Sequence, residues 1–65
     1  MKPRHPEPQI SAGVRTLVDE LGLVRAARKL GFAEATTARL AGGLTVSAGT
    51  EALAEKRLRE IKEAA

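Results

Sequence analysis

Gly31 stands alone between two short runs of helical spacing in "LVRAARKLGFAEATTARLAGG", residues 23–43, and no other feature restricts the fold as tightly. Before it, Ala26, Ala27 and Leu30 recur on one side of a helical repeat, with Arg25, Arg28 and Lys29 on the other. That spacing predicts a helix over about Leu23–Leu30. After it, Phe32, the sole aromatic residue, precedes a pattern that predicts a helix over about Glu34–Ala41, ended by Gly42-Gly43. Glycine takes the positive φ that other residues resist, so the chain can reverse sharply at residue 31. Two helices crossing steeply through so short a turn need a small residue where their backbones approach, a free residue at the turn, and apolar residues that lock the pair down. Ala27 fits the first need and Gly31 the second. Leu30, Phe32 and Leu40 fit the third, Gly31, Phe32 and Leu40 lying four, five and thirteen residues after Ala27.

The rest of the chain reads as support for this pair. "MKPRHPEPQI" has three prolines and no apolar periodicity, which predicts a flexible, basic, proline-rich arm over residues 1–10. Ser11 offers an N-cap for a first helix over residues 12–21, with Val14, Leu17, Val18 and Leu21 on one face and Gly22 as its stop. "LTVSAG" reads as a loop with Leu44 and Val46 packed onto the core. Thr50 offers the N-cap of a last helix over about 51–64, with Glu51 in its first turn. Ala54, Leu58, Ile61 and Ala65 form its apolar seam, and Leu53 adds to its start. No segment alternates with period two for long enough to make a strand. The expected fold is all-α: a compact bundle of four short helices, five at most, in one domain over residues 11–65.

Sixty-five residues are few for a self-sufficient core, and no cysteine is present to brace one. A second copy of the chain is therefore expected, with Leu53, Leu58 and Ile61 of the last helix as the dimer interface. One histidine, His5, cannot build a structural metal site. No run of about 20 apolar residues is available to cross a bilayer, and no secretory leader is evident. The expectation is a cytoplasmic, nucleoid-associated protein. The net charge of +3 is uneven. Residues 1–22 balance Lys2, Arg4 and Arg15 against Glu7, Asp19 and Glu20, and residues 47–65 balance four cations against four glutamates. Residues 23–46 hold Arg25, Arg28, Lys29 and Arg39 against Glu34 alone, so the whole excess falls there. Positive charge gathered in one place suits a polyanion.

These residues together resemble a DNA-binding helix-turn-helix, most closely that of the phage Cro and lambda-repressor superfamily. The resemblance is specific over residues 23–43 and looser over 11–65. It implies that the third helix is a recognition helix lying in the major groove. By the same likeness Glu34, Ala35, Ala38 and Arg39 face base edges. Arg39 would bond a guanine through two donors, Glu34 would accept from a cytosine amine, and Ala35 would touch a thymine methyl. Arg25, Arg28 and Lys29 become phosphate contacts, with Thr36, Thr45 and Ser47 as further donors and with Lys2 and Arg4 reaching from the arm. Two positions depart from the family's pattern. Leu23 stands where many relatives carry a bracing glutamine, and Thr37 stands where they carry valine, isoleucine or leucine. A threonine there can bond back one helical turn.

The function implied is that of a small bacterial or phage transcriptional regulator, a repressor acting as a homodimer on double-stranded DNA without cofactor, metal or small-molecule effector. The alternative is a helical protein–protein interaction module or adaptor docking through its C-terminal helix. Catalysis has no foothold: Ser11 and Ser47 lack a base near them in sequence, Asp19 and Glu20 are unpaired, and no glycine-rich phosphate loop occurs. Single-stranded nucleic acid would call for stacking aromatics, and Phe32 is needed at the turn.

Overall fold

An apolar row that begins earlier than expected sets the length of the first helix. The computed structural model describes residues 4–64, and in it α1 spans Pro8–Leu21. Ile10, Val14 and Leu17 are buried along it at helical spacing, which extends the core-facing stripe four residues toward the N-terminus. Pro8 suits the first turn, where a missing N–H costs nothing and a fixed φ is already helical. Ser11 is therefore not an N-cap: it lies inside α1 and is buried, and its Oγ finds no hydrogen-bond partner among the described residues. The helix instead begins with the amides of Ile10 and Ser11 donating to the Glu7 carbonyl.

Three more helices follow, α2 (Leu23–Leu30), α3 (Glu34–Ala41) and α4 (Ala48–Ala64). Gly22 ends α1 as expected, donating to the Val18 carbonyl. Gly31 takes the left-handed conformation, φ 78° and ψ 25°. Its N–H meets the carbonyls of Ala27 and Arg28, and the Phe32 N–H reaches back to Ala27 at 3.0 Å. That pair of bonds closes the end of α2 and reverses the chain within three residues. The end of α3 closes in the same way at Gly43, φ 70°, with Leu44 N–H donating to the Arg39 carbonyl.

The last helix starts before the expected cap. Thr50 lies within α4, and Ser47 does the capping: its Oγ accepts the Thr50 N–H at 3.1 Å. Gly49 in the first turn had masked this start, because glycine is a poor helix former. Among the described residues no strand forms; an isolated antiparallel bridge joins Arg4 and Val46.

The architecture is all-α, with α1 packed against each of the other three helices and α4 resting on α1 and α2. Val14, Ala26, Leu30, Leu40 and Ala54 are fully enclosed, with Ile10, Leu17 and Val46 nearly so. Phe32, half-buried, packs against this cluster at the corner where α2 meets α3. Val46 is packed down as expected, but Leu44 is half exposed, turned out by the reversal at Gly43. At Gly13 the Leu58 side chain of α4 lies close against α1, and a Cβ there would sit 3.0 Å from the Leu58 Cδ1.

Candidate nucleic-acid interface

α3 is held at the surface by two residues. Thr37 and Leu40 are both fully buried, and they anchor one side of the helix to α1 and α2. The Thr37 hydroxyl donates to the Ala33 carbonyl one turn back, at 3.0 Å, which satisfies a polar atom that burial would otherwise leave unpaired. Glu34, Ala35, Ala38 and Arg39, the four residues expected to face bases, are all exposed on the opposite side. Thr36 lies between the two sides and is half-buried. The proposed base-reading set is thus gathered on one solvent-facing strip.

Arg39 does not extend freely from that strip. Its Nε and Nη2 both donate to the Thr45 carbonyl, at 3.1 and 2.8 Å, and Nη2 also meets the Thr45 Oγ1 at 3.1 Å. The guanidinium edge made by Nε and Nη2 is therefore occupied, and Nη1 has no partner among the described residues. While Thr45 is bound the Nε–Nη2 edge is taken, so any base contact from Arg39 falls to its Nη1 side. Closure of the loop at Gly43 brings Thr45 beside Arg39, a proximity with no local signal in the sequence.

Around α3 the cations divide. Arg25 and Arg28 are exposed on α2, away from its buried side. Lys29 is exposed too, but it lines a groove with Leu17, Glu20, Arg57, Glu60 and Ile61, on the side of α2 that faces α4. Two arginines outside residues 23–46 also approach the motif. The Arg15 guanidinium donates to the Ala41 carbonyl at the end of α3, and the Arg57 Nη1 lies 3.6 Å from where a Cβ on Gly31 would sit. Both come from distant elements, so spacing within the motif carried no trace of them.

The expected free arm is instead fastened from Arg4 onward. Arg4 and Val46 exchange backbone hydrogen bonds of 2.7 and 2.8 Å, and the His5 Nδ1 lies 2.9 Å from the Gly43 carbonyl. Pro6 is buried, and residues 8–10 belong to α1. Glu51, itself only 6% exposed, holds the segment with both oxygens: Oε1 pairs with the Arg4 Nε at 2.8 Å, and Oε2 accepts the Glu7 N–H at 2.7 Å. Arg4 thus pairs with a carboxylate through Nε, while its side chain stays 55% exposed. Lys2 lies outside the described residues. Pro-rich composition misled here because the buried carboxylate that draws the segment down lies more than forty residues away.

Two further expected donors, Ser47 and Thr45, accept hydrogen bonds within the chain. The Ser47 Oγ bonds the Thr50 amide and hydroxyl, and the Thr45 hydroxyl bonds Arg39. Of the three residues expected at a dimer interface, Leu58 and Ile61 are half-buried against the core and keep their other side toward a groove beside α1; Ala65 of the expected seam lies outside the described residues. Leu53, 38% exposed, falls on a different side of α4 and does not join them. Between α1 and α4 a shallow groove remains, lined by Ile10, Gly13, Leu17, Leu58 and Ile61.

Among the described residues no helix is long and apolar enough to cross a membrane. Nor does any cluster of three or more His, Cys, Asp and Glu side chains assemble there that could hold a metal ion. Compared with protein-family models, with curated proteins and with solved structures, the chain finds no match.

Proposed function

We propose that the chain binds double-stranded DNA through α2 and α3 as a helix-turn-helix, working as a homodimeric transcriptional repressor. The observation that carries this reading is the mounting of α3. A left-handed Gly31 turns the chain between two short helices, Thr37 and Leu40 pin one side of α3, and its other side stays open to solvent. A short helix so held is shaped to enter a major groove. Support also comes from Arg25 and Arg28 on the neighbouring helix and from Arg15 at the far end of α3. In a homodimer the two copies of α3 would lie about 34 Å apart, one duplex turn, on an inverted repeat.

Salt dependence tests the reading directly. With Arg25 and Arg28 of two protomers on phosphates, four contacts in all, the logarithm of the binding constant falls against that of salt with a slope of about −3.6. Raising salt from about 50 to 200 mM then weakens binding roughly a hundredfold. Affinity that hardly moves over this range excludes the phosphate contacts. Combining Arg28→Ala with Arg39→Ala is expected to abolish selective duplex binding without unfolding the chain.

The apolar lining between α1 and α4 supports a second reading, a helical module that docks on another protein. That reading replaces the first if duplex binding survives the double substitution.

A further inference from the structure

We propose that Thr45 is a positioning residue that orients Arg39 for base reading, and that Glu51 sets the position of Thr45 from the far side of the loop. The inference rests on the DNA-binding reading of α3. An unbraced arginine samples many rotamers, whereas one whose Nε and Nη2 are both held presents its remaining donors in one direction. Thr45 supplies that brace with two acceptors, its carbonyl and its Oγ1.

Thr45 lies in the irregular segment between Gly43 and Ser47, so something must fix it in turn. The fastening comes from the N-terminal segment. Its Arg4 backbone pairs with Val46, the residue next to Thr45, in both directions, and His5 meets Gly43 two residues before Thr45. Glu51 anchors that segment by pairing with the Arg4 guanidinium and accepting the Glu7 amide. Polar contacts therefore run from a buried carboxylate on α4 through Arg4 to Val46, the peptide bond carries the path to Thr45, and hydrogen bonds carry it on to the guanidinium on α3. Arg4, expected as a phosphate ligand, also takes part in this path through its backbone and its Nε.

A brace and a generic stabiliser differ in what they change. Loss of stability weakens binding to every duplex alike, whereas loss of orientation flattens the preference at the one base pair that Arg39 reads. The test selects bound duplexes from a random pool with the full chain, its Thr45→Val, Thr45→Ser, Glu51→Gln and Arg39→Ala variants, and Glu51→Gln combined with Arg39→Ala. Thr45→Val is expected to reduce the preference at one position of each half-site about tenfold. Thr45→Ser, which keeps the hydroxyl, restores it. Glu51→Gln lowers the same position and no other, and adds nothing once Arg39 is already alanine.

Backbone and side-chain relaxation by NMR gives a second readout that needs no DNA. The Arg39 Nε–H, held by the Thr45 carbonyl, is expected to be as rigid as the α3 amides in the unsubstituted chain and mobile in Glu51→Gln, whereas Thr45→Val, which keeps that carbonyl, frees only the Nη2 end. An Arg39 side chain that is already mobile, or preferences unchanged in both variants while Arg39→Ala alters them, overturns the positioning role and leaves DNA binding standing. A chain that selects no duplex overturns the DNA reading itself, and the inference falls with it.

Discussion

At the scale of single residues, Gly31 and Thr37 carry the motif, and each has a measurable signature. A Cβ at Gly31 would meet nothing closer than the Arg57 Nη1 at 3.6 Å, an ordinary contact. The cost of Gly31→Ala is therefore in the backbone: holding alanine at φ near 78° loses about 1–2 kcal/mol. Urea unfolding should report that loss with an unchanged slope. Thr37 gives the opposite sign. Its hydroxyl shares the Ala33 carbonyl with its own backbone N–H, so removing it strands no acceptor. Thr37→Val is expected to raise stability by about 0.5–1 kcal/mol, read by the same unfolding curve. Gly31 was legible from spacing, because a turn is a local property, whereas the inward place of Thr37 was implied by the helix-turn-helix resemblance. Arg39 was recognised too, but not its engagement with Thr45, which depends on where the loop after α3 closes.

At the scale of elements, the helix pattern was legible in its middle and misread at its ends. α2 and α3 match their expected bounds because glycine closes both, and glycine signals a stop strongly. α1 and α4 each begin earlier than expected. In both cases a Ser or Thr with cap-like chemistry lay inside the helix, and burial of Ile10 or capping by Ser47 decided the true start. This assigns Ser47 a structural task. Ser47→Ala is expected to destabilise the protein by about 1 kcal/mol while leaving the proposed DNA binding unchanged. For a chain of this size that loss lowers the melting temperature by roughly 4–8 °C. A weakened preference for DNA without a change in melting would return Ser47 to the set of phosphate donors.

At the scale of the whole molecule, the core is small and spread over every element. Leu30 and Leu40, fully buried, join α2 and α3 to the α1 residues Val14 and Leu17. A domain of this length is stable by roughly 3–10 kcal/mol. Removing one enclosed leucine costs about 2–5 kcal/mol. Leu40→Ala should therefore remove about half of the chain's stability, visible as a lower midpoint in urea unfolding followed by helical circular dichroism. The mutations that test DNA contacts avoid this core: Arg25, Arg28 and Arg39 are all exposed, so their alanine variants keep the fold.

Periodicity and glycine placement by themselves determined that this chain is all-α, that α2 and α3 meet at Gly31, and which side of each turns inward. Those are consequences of backbone conformation and of helical spacing over ten residues or fewer. The tertiary structure alone decided that residues 4–7 are fastened to Glu51, that Leu58 and Ile61 of α4 pack partly against the core, and that Arg39 rests on Thr45. Each of the three depends on a partner outside the segment's own helical repeat, and two of them on groups far apart in the chain. A charge or carbonyl brought near by folding leaves no periodic mark on the segment it will hold.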